Sequence, residues 1–284
     1  MRTSLLLFLL AACAVGEPET ATTVAQPTSA PEETSTTGTS AGAPCLEQEA
    51  DFVEDGVIGL LGDEGGDAGR VAALRWAGHE GCERLVVELA TADGAPATAG
   101  GLVEAEILRD LGVVRLRLAD LVAATAVADS AFDGTLATRA FVVRSLDGQL
   151  FVDLHLGSAA LARAIALRSP ARVVVDLRPG GSELPPAPPS SDLVVVLAPR
   201  GGRASFPMDV YGYARTFEAN VIARVRQDGK LEHEEFTTAA DWVNTWGQFT
   251  LTLQEGPEGP AELFVGEDSA RDGSEQGVVI KLGA

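Results

Sequence analysis

Residues 217–230 read FEANVIARVRQDGK. Phe217, Ala219, Val221, Ala223 and Val225 alternate with Glu218, Asn220, Arg224 and Arg226. A period of two is that of a β-strand with one face buried and one wetted. The run ends at Gln227-Asp228-Gly229-Lys230, where Asp-Gly suits the positive φ angles of a tight hairpin turn. KLEHEEFTT follows from residue 230 as the returning strand. The stretch predicts an antiparallel hairpin, and with it a β domain.

Working outward, the same block holds five more strand patterns. They are LVVVLAP from residue 193, DVYGYAR from 209, FTLTLQ from 249, ELFVGED from 262 and GVVIKL from 277. Phe249, Leu251 and Leu253 alternate with Thr250, Thr252 and Gln254. Seven strands at this spacing fit an immunoglobulin-like sandwich over residues 192–284. Just before it, residues 179–191 read PGGSELPPAPPSS, a composition that makes neither strand nor helix and reads as a semi-stiff spacer.

The block before the spacer, residues 45–178, alternates as well. Leu85, Val87 and Leu89 oppose Arg84 and Glu88, and Val114, Leu116 and Leu118 oppose Arg115 and Arg117. Val173, Val175 and Leu177 oppose Asp176 and Arg178. Asp147-Gly148 lies between two such runs and predicts a second hairpin with positive φ at both turn positions. Helix is limited to a turn or two around Asp120–Ala128. The fold class expected is all-β, with two β-sandwich domains in series.

The chain begins MRTSLLLFLLAAC. Arg2, the apolar run Leu5–Leu10 and the small Ala11-Ala12 have the layout of an export signal. Leu10-Ala11-Ala12-Cys13 resembles the bacterial lipobox. That resemblance implies a lipoprotein: a signal peptide, residues 1–12, that is removed, and a lipidated Cys13 that anchors the protein on the extracytoplasmic face of the cell membrane. An ordinary secretory signal is the alternative. Residues 13–44 are rich in Thr, Ser, Pro and Glu, lack basic residues and have almost no bulky apolar ones, so a disordered tether is expected. Export would place Cys45 and Cys82 in an oxidising compartment, where a disulfide is expected; two buried free thiols are the alternative.

Two further resemblances come from particular residues. RWAGHEGCERLVVELA from residue 75 and ARVVVDLRPGG from residue 171 resemble the AMIN-like domain of exported bacterial proteins over roughly residues 70–178. Gly78, His79, Gly81, Arg84, Val86 and Glu88 carry its pattern. The resemblance implies a β-sandwich that binds peptidoglycan or another envelope glycan, with His79 and Arg84 as candidate binding residues. In the second block, Gly212, Ala214, Phe217, Glu218 and Val221, then Glu267 to Ser274, resemble the bacterial spore germination immunoglobulin-like domain. That implies protein contacts or spacing. Tyr211 and Trp242 are candidate members of an exposed aromatic platform, with core packing as the alternative.

The net charge is -20, so nucleic acid is excluded as a partner and a neutral or zwitterionic glycan suits the chain better than an anionic one. No HExxH, GxSxG, P-loop or dinucleotide fingerprint occurs. His79, beside a turn glycine, reads as a structural hydrogen-bonding group. His155 alternates with Asp153 on an outward strand face and reads as surface, and His233 joins Glu235 on a charged strand edge. Glu267 to Gly273 is dense in carboxylates but reads as a turn stabilised by Asp and Ser rather than a calcium loop. The expectation is a protein that is no enzyme and has no catalytic residue, cofactor or metal. The function expected is a lipid-anchored envelope binding or scaffolding protein that takes glycan through its first domain. The alternative is an envelope adaptor that recruits a protein partner through its second domain, without glycan.

Overall fold

Asp228 and Gly229 take φ values of 51° and 78°, and Gln227 pairs with Lys230 across them. The hairpin that opened the sequence reading is therefore a two-residue turn with both φ angles positive. The computed structural model describes residue 45 and residues 51–283. The expected signal peptide at 1–12, the expected lipidation at Cys13 and the expected tether at 13–44 all fall outside the described residues. Cys45 and Cys82 are joined by a disulfide.

The first block contributes β1 (Gly56–Leu61), β2 (Arg70–His79), β3 (Cys82–Ala90), β4 (Val103–Leu108), β5 (Val113–Leu118), β6 (Ala124–Thr125), β7 (Asp129–Ala131), β8 (Ala137–Arg144), β9 (Leu150–Leu156), β10 (Ala160–Leu167) and β11 (Arg172–Pro179). The second contributes β12 (Val194–Ala198), β13 (Gly202–Arg203), β14 (Met208–Ala214), β15 (Asn220–Gln227), β16 (Lys230–Thr238), β17 (Trp246–Leu253), β18 (Ala261–Asp268) and β19 (Glu275–Gly283). The protein is all-β, as its alternation predicts. One five-stranded sheet runs β10-β11-β3-β2-β6, and another runs β13-β19-β18-β15-β16. A nine-stranded sheet runs β1-β4-β5-β9-β8-β17-β14-β12, with β7 beside β8.

The alternating residues build two cores. Leu85, Val87, Val173 and Val175 of one five-stranded sheet meet Ile107, Leu116, Val142 and Leu154 from β4, β5, β8 and β9. Val221, Ala223, Leu263 and Ile280 of the other meet Val194, Val210, Phe249 and Leu253 from β12, β14 and β17. Each fully buried Val, Leu or Phe contributes roughly 1.5–3 kcal/mol relative to exposure, so these faces supply the main driving force.

A third apolar layer joins the two. Phe141, Val143, Phe151, Val195, Leu197, Tyr213 and Trp246 pack together, and they stand on the opposite faces of strands that also line the cores. Val143 of β8 pairs with Trp246 of β17, in parallel. The nine-stranded sheet thus doubles back, and the backs of its two halves share one buried seam. The Pro-rich segment is tied down beside it. Ser182 N and Oγ donate to Glu54 Oε1 at 2.7 and 2.6 Å, and Arg200 Nη1 donates to the Pro186 carbonyl at 2.6 Å.

Four local expectations are corrected. Asp120–Ala128 is not helical; it holds a turn and the short β6. In the second hairpin only Gly148 has positive φ, 89°, because the connection is a five-residue loop in which Asp147 accepts from Ser145 and from the Gln149 N–H at 3.3 Å. Phe217 does not continue the strand alternation, since β15 begins at Asn220 after a short 3-10 turn. Asp153 and His155 are not at the surface: they are 0% and 7% exposed, covered by the second block.

Candidate functional site

The structure does not bring the four sequence candidates together. His79 ends β2 opposite Cys82, and its Nε2 is buried without a hydrogen-bond partner, contrary to the structural bond expected of it. Arg84 sits on β3 and grips Asp176 of β11 with both arms, at 2.6 and 2.8 Å. Tyr211 lies half-buried against the seam. Trp242 is 38% exposed in the loop before β17.

The seam itself is polar at its centre. Arg115 Nε and Nη2 donate to Asp153 Oδ1 and Oδ2, each at 2.7 Å. The Tyr213 hydroxyl donates to Asp153 Oδ2 at 3.0 Å and lies 2.6 Å from His155 Nε2. Its one proton goes to Asp153, so His155 Nε2–H is the donor in that contact. Burial pushes the His155 imidazole down to about 4, leaving it neutral. Trp246 Nε1 donates to Asp129 Oδ2 at 2.8 Å, and Arg139 pairs with the same carboxylate at 2.7 Å. These groups satisfy one another across the two blocks, so the arrangement ties the blocks together.

The other unusual region is on the surface. Glu218 and Ala219 take φ values of 54° and 61°, the left-handed region that costs a non-glycine residue about 1–3 kcal/mol. That turn swings Phe217 out to 53% exposure. The Phe217 N–H donates to the buried carboxylate of Glu267. The two segments that carry the second resemblance therefore meet in one hydrogen bond. Residues 193–274 match a family model described as the immunoglobulin-like domain of bacterial spore germination. No curated protein and no solved structure matches the chain.

Around that bond the immunoglobulin-like domain gathers its exposed apolar side chains. Trp242 meets Phe217 edge to face, with ring centroids 5.5 Å apart. Asp241 holds the Trp242 loop by accepting from the N–H groups of Trp242 and Val243, at 2.7 and 3.0 Å. Phe236 on β16 pairs with Ile222 on β15 and is 77% exposed. Phe217, Asn220, Ile222, Glu234, Phe236 and Asp268 line a groove of about 270 Å³. Arg224 binds Glu234, Asp268 and Glu275 beside it, at 2.5, 2.6 and 2.7 Å. Hydrogen bonds from Arg224 hold the Asp268 carboxyl below its ordinary range, so the rim stays acidic.

The Glu267–Ser274 connection is the Asp/Ser-stabilised turn expected. Ser274 N and Oγ donate to Asp272 Oδ1 at 3.0 and 2.6 Å. Among the described residues no group of His, Cys, Asp and Glu is arranged to hold a metal ion. Sequence reasoning missed Phe236 and read Glu267 only as part of a carboxylate-rich turn. Phe236 follows Glu234-Glu235 on a strand whose outward positions read as charged, and Glu267 gains its role only through a partner 50 residues away.

Proposed function

We propose that this is an exported, lipid-anchored scaffolding protein of the bacterial cell envelope, and that its immunoglobulin-like domain docks a protein partner on the Phe217–Phe236–Trp242 surface. The observation that carries this is a strained turn that exposes an aromatic side chain which plain strand alternation would bury. Such outliers persist where the surroundings over-determine them, and they concentrate at functional positions. Grouped exposed aromatics beside a groove are the usual anchor of a protein interface. The acidic rim from Glu234 and Asp268 selects a partner segment that is apolar and basic.

The test is photo-crosslinking in the native envelope with a benzophenone amino acid at position 236 of the full chain. The expected result is one discrete protein adduct, lost in Phe217→Ser and Trp242→Ser, whose isolated partner binds the purified chain directly. No protein adduct, or one indifferent to both substitutions, overturns the proposal.

A second reading, glycan binding through the AMIN-like first block, is favoured by one observation. Arg84, Val86 and Glu88 of β3 pair with Asp176, Val174 and Arg172 of β11, so both resembling segments present their outward residues on one sheet face. Retention on purified sacculi that survives Phe217→Ser would favour this reading.

A further inference from the structure

The same sheet face is basic, in a chain whose net charge is -20. The strand register places Arg70, Arg75 and Arg172 toward one end of it, around Glu88 and Ala90. Arg75 Nε takes Glu88 Oε1 at 3.0 Å, and its Nη2 donates to Oε2 at 3.1 Å. Glu88 is thereby occupied. Arg172, opposite Glu88 across β3 and β11, has no ion pair among the described residues, and its Nε is buried without a hydrogen-bond partner. That enclosed Nε is beyond a ligand's reach, so the two terminal nitrogens of the fork are the donors open to an anion. Arg70 likewise has no ion pair among the described residues, and its Nη1 lies 3.5 Å from where a Cβ on Gly94 would stand.

Arg172 lines a cavity of about 160 Å³ whose apolar wall comes from Leu89, Pro96, Pro170 and Ala171, and Arg70 stands beside its Gly94 edge. Its volume corresponds to roughly five water molecules, which fits one small side chain and a carboxylate. Ala72, Glu88, Ala90 and Gly94 complete the lining. Gly94 has φ +96°, so the wall there stays low without strain.

From this geometry we infer that the pocket binds the terminal carboxylate of a peptide ending in a small apolar residue. Arg172 and Arg70 receive the carboxylate, and the Leu89–Pro96–Pro170 wall takes the methyl-sized side chain. Arg75 screens Glu88 from the ligand. Arginine suits this task because its planar fork matches a carboxylate in two parallel bonds. The inference does not depend on the Phe217 surface. It runs against the expectation that a neutral or zwitterionic glycan suits the chain better than an anionic one: net charge describes the whole molecule, and a pocket is governed by the few groups that line it.

The test is calorimetric titration of the full chain with N-acetyl-alanyl-alanine, in the L,L and the D,D form, each beside its C-terminal amide. The free acid should bind about tenfold or more tightly than the amide, the effect of one charge-assisted contact of about 1.4 kcal/mol. Arg172→Gln and Arg70→Gln should each weaken the acid by a similar factor and leave the amide unchanged. Preference for L,L would point to protein C-termini, and preference for D,D to the peptides of a bacterial wall. Arg70 makes no ion pair among the described residues, so Arg70→Gln remains informative even where Arg172→Gln folds poorly. Equal binding of acid and amide, no binding at about 10 mM, or two variants indistinguishable from the parent overturns the inference.

Discussion

β9 and β16 invert the same rule in opposite directions. On β9 the positions facing away from the first core are Asp153 and His155, and both are buried. On β16 the outward positions include Phe236, and it is the most exposed large apolar side chain among those described. Hydropathy alternation reports which face of a strand meets its own core. It is silent about what later covers the other face. On β9 the second block covers it, and the buried polar groups pair as Arg115–Asp153–Tyr213–His155. On β16 no described segment covers Phe236. A polar face that is buried reads as an internal joint, and an apolar face that is bare reads as a place for a partner.

The largest test of this contrast is Asp153→Ala. It leaves Arg115 buried without its carboxylate, and a loss of about 3–5 kcal/mol is expected in denaturant unfolding. Because the seam joins both blocks, the variant should still unfold in one transition reported alike by Trp76 and Trp246. Two separate transitions in the parent protein would break the comparison, for the seam would then be no joint.

Glu83→Ala sharpens it from within one block. Glu83 is buried and accepts the N–H groups of Thr135, Leu136 and Ala137 at 2.7, 2.9 and 2.9 Å, with the Trp76 indole at 3.1 Å. A loss of about 3 kcal/mol is expected by thermal unfolding, confined to a network that never reaches the seam. Burial raises this carboxyl, but the three N–H groups and the indole outweigh it and hold it below its ordinary range. Its contribution is therefore full above the unfolded value near ~4.3 and disappears as pH falls through the folded one.

His155 provides the next effect in size. Its imidazole titrates at about 4 when folded, against ~6.5 unfolded. The unfolded chain takes up the proton first, so stability is full above ~6.5 and declines as pH drops toward 4. Between pH 6.5 and 5 the loss should be about 1.5 kcal/mol, and His155→Gln should flatten that slope in urea titrations. An unchanged slope would mean that the ring is not enclosed by the seam.

The smallest effect belongs to the other side of the contrast. Phe236→Ser should change stability by less than about 0.5 kcal/mol, because an exposed side chain gives up little on removal. A loss above about 2 kcal/mol would show that Phe236 is packed and not a docking residue.

Much of the fold was legible because strands announce themselves locally. Val221, Ala223 and Val225 pointed inward as their period required, and Asp228-Gly229 made the turn that its φ preferences allow. The candidate site was less legible. Trp242 was singled out, but its partner proved to be Phe217 and not Tyr211. Phe217 looked like a core residue until the left-handed pair Glu218-Ala219 turned it away.

The amino-acid sequence by itself determined the strands, the hairpins and the acidic balance, since strands and turns depend on neighbours within a few residues and charge on composition alone. It also contained the cysteine pair that the structure joins. Only the tertiary structure decided that β8 and β17 would share a sheet, that Asp153 and His155 would be enclosed, and that Arg172 would be left without an acceptor. Those outcomes depend on contacts between residues far apart in the chain, where no local period carries the information.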